Sequence, residues 1–105
     1  MTIKERVWGV IQMHTKKNPV KTKEIAEAVG TNVREVREAV RELVLEGKPI
    51  GSRTTPAGYY VITEPEELRE AYAKLMKRGL AILERAKALK DKHPELLKPI
   101  QLELV

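Results

Sequence analysis

Thr22-Lys23-Glu24-Ile25-Ala26-Glu27-Ala28-Val29-Gly30-Thr31-Asn32-Val33-Arg34-Glu35-Val36-Arg37-Glu38-Ala39-Val40 is the run on which the fold turns. Ile25, Ala26 and Val29 fall on the inward side of a short helix of about two turns that Thr22 caps. Gly30 permits the left-handed exit that ends helices. Asn32, with Glu35 three residues on, has the spacing of a cap for a second helix, whose inward stripe is Val33, Val36, Val40, Leu43 and Val44 and which Gly47 stops.

Downstream, Pro49-Ile50-Gly51-Ser52-Arg53 and Tyr59-Tyr60-Val61-Ile62 read as two strands about a Thr54-Thr55-Pro56-Ala57-Gly58 turn. Tyr59 and Tyr60 point to opposite faces, one to the core and one free to stack on a ligand. Upstream, Thr2-Ile3-Lys4-Glu5 has the spacing of a capping box and starts a helix over about Ile3 to Thr15. Its stripe is Ile3, Val7, Val10, Ile11 and His14, with Trp8 at the margin, and Lys16-Lys17-Asn18-Pro19 ends it. Val20 has room for a one- or two-residue strand.

Thr63-Glu64-Pro65-Glu66 is a further capping box, with proline in the first turn where its missing N–H costs nothing. The helical pattern then runs to about Lys92, roughly 40 Å at about 1.5 Å per residue. Leu68, Tyr72, Leu75, Gly79, Ile82, Ala86 and Leu89 step by fours and threes along it, a seven-residue repeat that makes a seam for another helix. The phase continues through Gly79, which predicts an unbroken helix whose backbone is closely approached there. His93-Pro94 closes it, a short turn follows to Lys98, and the Ile100, Leu102, Leu104 alternation has the period of a strand. The organisation expected is a domain over residues 1–63, a long helix over 64–92 and a tail over 93–105.

Twenty basic residues stand against 15 acidic ones, 11 against 7 through Ile62 and 9 against 8 beyond it, an excess that favours a polyanion. The sequence has no cysteine, and its two histidines, His14 and His93, are far apart. Disulfides, thiol nucleophiles and cysteine-based zinc sites are therefore excluded, and no metal or other cofactor is expected. No apolar run approaches the ~18 residues of a membrane span, and Met1-Thr2-Ile3-Lys4 has neither the apolar core nor the cleavage site of a signal peptide. A cytoplasmic protein with no membrane partner is expected. With no Gly-rich phosphate loop, no nucleophile beside a base and no clustered metal ligands, an enzyme is not expected.

With Val33, Val36, Val40 and Leu43 inward, Arg34, Arg37 and Arg41 line one outward ridge. Arginine suits a groove of duplex DNA, because its planar fork donates two hydrogen bonds to guanine or grips a phosphate. Thr31 and Asn32 lie at the positive end of the helix dipole, where a phosphate could be held. Lys21 and Lys23 reach flanking phosphates, and Arg53, Thr54, Thr55 and Gly58 form a small basic hairpin tip. Glu35, Glu38, Glu42 and Glu46 on the same helix leave open a solvated face or a protein-binding one. The long-helix seam either folds back or, as its reach favours, pairs with a second copy and sets two recognition helices against a palindromic site.

From Met1 to Glu67 the chain resembles the winged helix superfamily of DNA-binding proteins, above all over Val20 to Val40 in its placement of alanine, glycine and apolar residues. Gly58-Tyr59-Tyr60-Val61-Ile62-Thr63-Glu64-Pro65-Glu66-Glu67-Leu68 is similar to the wing strand and helix entry of small phage-associated winged helix proteins that end in a long helix. The resemblance implies a mainly α fold with a small hairpin, the helix over residues 33–46 in the major groove and the hairpin on the flanks. Winged helix domains also serve as protein-protein modules. The expectation is a sequence-specific, homodimeric regulator of transcription, and the alternative an adaptor acting on polymerase or replication machinery.

Overall fold

The order of elements is α1 (Ile3–Ile11), α2 (Thr22–Val29), α3 (Val33–Leu45), β1 (Ile50–Thr54), β2 (Ala57–Val61), α4 (Pro65–Lys92) and α5 (Pro94–Leu97). The structure is a computed structural model that describes residues 1–97. The alternating segment at Ile100, Leu102 and Leu104 lies outside them. The fold is mainly helical, with one small antiparallel hairpin and a long C-terminal helix. The chain divides into two compact units, Met1–Ala71 and Tyr72–Val105.

In the first unit, the Thr2 hydroxyl accepts from the Glu5 N–H and the Glu5 carboxylate accepts from the Thr2 N–H, both at 3.1 Å. This capping box starts α1, but the helix ends at Ile11 rather than near Thr15. The Met13 and His14 amides tighten to three-residue bonds, on Val10 and Ile11, and the His14 carbonyl instead accepts from the Val61 N–H at 2.9 Å. His14 is thus drawn out of the helix by the hairpin, and its ring lies 3.0 Å from the Asn18 carbonyl.

Lys21, not Thr22, occupies the cap position of α2, its N–H donating to Glu24 at 3.0 Å. Gly30, at φ 82°, makes the left-handed exit. The Asn32 side chain then accepts from the Glu35 N–H at 2.9 Å and starts α3. α3 buries Val36, Ala39, Val40 and Leu43, while Val44 is 37% exposed. Ala39 rather than Val44 completes the stripe, because at about 100° per residue Ala39 lies about 40° from Leu43 while Val44 lies about 100° from it, at the edge of the buried side.

Val7 and Ile11 of α1, Ile25, Ala26 and Val29 of α2, the α3 stripe, Val20 and Ile50 form one core, with Trp8, Val10 and Tyr59 packed at its edge. Full burial of such aliphatic side chains contributes about 1.5–3 kcal/mol apiece.

The hairpin pairs Ile50 with Val61 through to Thr54 with Ala57, so the turn contracts to Thr55-Pro56, joined by a cis peptide bond. Thr54, Ala57 and Gly58, read from sequence as turn, belong to the strands. Val20 bridges Tyr59 by two bonds of 2.8 and 2.9 Å, the short strand expected there. Tyr59 leans on the core and Tyr60, on the opposite face, is 2% exposed, so neither ring stands free.

α4 begins one residue later than its sequence box suggests, at Pro65, with the Glu67 carboxylate rather than that of Glu66 reaching back to the Thr63 N–H at 3.0 Å. It is continuous through Gly79 over 28 residues, and none of them is buried. No helix among the described residues is long and apolar enough to cross a membrane.

Candidate nucleic-acid interface

Arg34, Arg37 and Arg41 are all exposed, on the side of α3 away from Val36, Val40 and Leu43. At about 100° per residue, Arg34 and Arg41 lie almost in line along the helix and Arg37 slightly to one side. The same angles part most of the glutamates from this ridge. Glu35, Glu42 and Glu46 fall on the neighbouring side, where Glu35 accepts from the Thr31 hydroxyl at 2.6 Å and Glu46 pairs with Lys4 of α1. That pairing raises the Lys4 pKa above its ordinary value, chiefly through the hydrogen bond to Glu46. Glu38 comes nearest the ridge, about 40° from Arg34 on the glutamate side. Leu45, 73% exposed, continues the ridge one turn beyond Arg41; the sequence pattern of the ridge omits it, although its four-residue step from Arg41 is legible.

At the helix start, Asn32 is held in its capping bond and Thr31 in its bond to Glu35. The backbone and dipole of α3 remain the means of holding an anion there, while both side chains already have work. Lys21 and Lys23 are exposed beside the start of α2.

The hairpin tip differs from its expected form. Arg53 is half-buried and its guanidinium donates to the Lys16 carbonyl at 2.8 Å, which fastens β1 to the α1–α2 loop. Thr54 and Thr55 are exposed at the turn. The tip therefore presents hydroxyls, and its arginine is turned back along the sheet.

The seam of α4 is exposed at each large residue: Leu68 57%, Tyr72 64%, Leu75 57%, Ile82 49% and Leu89 68%. Met76, Leu80 and Leu83, exposed by 45, 54 and 65%, widen the stripe on one flank, and a strict seven-residue repeat passes over them. Among the described residues there is no group of three or more histidine, aspartate or glutamate side chains able to hold a metal ion. Comparison with family models, with curated proteins and with solved structures finds no match to this chain.

Proposed function

We propose that this chain is a winged helix-turn-helix protein that binds duplex DNA sequence-specifically as a homodimer and regulates transcription from the cytoplasm. The observation that carries it is the exposed ridge of Arg34, Arg37 and Arg41 on a helix whose other side is core. α2, the Gly30 turn and α3 have the order of a helix-turn-helix, and the hairpin with its bridge to Val20 has the form of a wing. In this reading α3 enters the major groove, the three guanidiniums meet base edges or phosphates, and Lys21, Lys23 and the α3 start lie along the backbone. Thr54 and Thr55 touch the flank through their hydroxyls. α4 joins the two copies.

Substituting Arg37→Ala together with Arg41→Ala is expected to weaken binding to the preferred duplex by about 1–3 kcal/mol per specific contact. The unfolding transition should stay unchanged, since both side chains are exposed. Log K should also fall by roughly 0.9 per contacted phosphate for each log unit of salt. Unchanged affinity in the double variant, measured by fluorescence anisotropy over a salt series, removes the ridge from the interface. The rival reading, a protein-binding adaptor, draws on Leu45 and Glu38, an apolar and an acidic group on the same face. Binding to mixed-sequence duplex that is undetectable or indifferent to salt favours it.

A further inference from the structure

The apolar stripe of α4 is regular enough to specify how a partner helix lies on it. From Tyr72 the seam runs Leu75, Gly79, Ile82, Ala86, Leu89, and two of these six positions are small. Nothing comes within 4 Å of a Cβ built on Gly79, so no described neighbour needs the glycine, although an alanine would favour the helix. Laid parallel on a second copy, the seam would set Gly79 against Gly79 and Ala86 against Ala86, while Tyr72, Leu75 and Ile82 each met their own kind. Gaps would alternate with crowded layers.

Laid antiparallel with Gly79 against Ile82 of the second copy, the remaining layers follow without choice. Leu75 meets Ala86, and Tyr72 meets Leu89. Every small residue then faces a large one, as packing at near-constant density requires. We infer that α4 pairs antiparallel with α4 of a second copy in this register, an inference that rests on the dimer included in the proposed function.

The flanks agree. Met76 and Leu83, 45 and 65% exposed, lie on one side of the seam, and in this register Met76 of each copy runs beside Leu83 of the other. Parallel pairing would instead set Leu83 beside Arg78 and Lys90 beside Arg85. The area also suffices: the large side chains of the stripe, at on the order of 100 Å² each, approach the about 800 Å² per partner of a standard interface. Arg78 and Arg85 of both copies gather on the opposite flank, so salt should tighten the pair by screening them.

The absence of cysteine lets one engineered thiol carry one spin label. Glu84→Cys and Asp91→Cys place labels on exposed positions outside the stripe. In the antiparallel register the two copies of position 84 are offset along the axis by about 10 Å and those of position 91 by about 30 Å. Pulsed electron-electron resonance on the full chain should therefore give a distance longer by more than 10 Å at position 91. Equal distances at the two positions in a dimer would mean parallel pairing and overturn the register while leaving the dimer intact. A chain that sediments as a monomer and shows no dipolar coupling would overturn both. Neither result touches the arginine ridge, which the DNA titration tests separately.

Discussion

Tyr60 shows how one side chain can bind several decisions together. Its ring, 2% exposed, covers the face of the hairpin away from the helical core, and β1 admits it only because Gly51 lies opposite: an added Cβ would meet the ring at 2.4 Å. Gly51→Ala should destabilise the fold by about 1–3 kcal/mol, the usual cost of overpacking, read as a lower urea midpoint. Burial also raises the Tyr60 pKa above its ordinary 10.0, because the phenolate is penalised there. A raised folded pKa means stability that is complete below the unfolded value and lost as pH rises through the folded one. Lys16, raised above 10.5 chiefly by its hydrogen bond to Glu70, acts in the same sense. Stability should therefore fall above about pH 10, and Tyr60→Phe should flatten that fall when urea midpoints at pH 8 and pH 11 are compared. None of this is legible in sequence, where Tyr59 and Tyr60 are equivalent apart from parity.

At the scale of elements, helices are far easier to read than their ends. Period alone gives α2, α3 and α4, since their apolar residues recur on one side whatever the surroundings. The end of α1 depends on a hydrogen bond from Val61, 47 positions away from His14 in the chain, which no local pattern contains. Arg53 escapes for the same reason: a strand position shows that a basic residue is near the tip, but only the packed loop supplies the Lys16 carbonyl that turns it back. On α4 the pattern gives the seam and not its width. Leu75→Glu with Ile82→Glu should leave the first unit's unfolding transition unchanged and yield monomers by sedimentation; a wild-type chain already monomeric at high concentration would retire the pairing.

Across the whole molecule the distribution of charge changes once the units are known. Counted to Ile62, the positive excess falls on the first part of the chain. The first unit extends to Ala71, however, and takes in Glu64, Glu66, Glu67 and Glu70, which leaves it 12 basic against 11 acidic residues. Tyr72 to Lys92 carries seven basic residues and two acidic ones. The DNA binding proposed for the first unit therefore rests on where its arginines stand rather than on its net charge. In the arginine variants the salt slope should become shallower by roughly 0.9 for each phosphate that is no longer neutralised, as a titration of the same duplex at several salt concentrations would show.

By itself the sequence determined the order and kind of α1 to α4 and of the hairpin, the caps of α1 and α3, the Gly30 turn and the outward phase of Arg34, Arg37 and Arg41, because each of these depends on neighbours within about one helical turn; Pro94–Leu97, read as a turn, is a short helix. The tertiary structure alone decided which polar groups remain available. Glu46 and Arg53 both look free in the chain, and both are engaged once α1, α3 and the hairpin meet. A hydrogen bond depends on atoms brought within about 3 Å, and residues as far apart in sequence as Lys4 and Glu46 reach that separation only through the packing of the core between them.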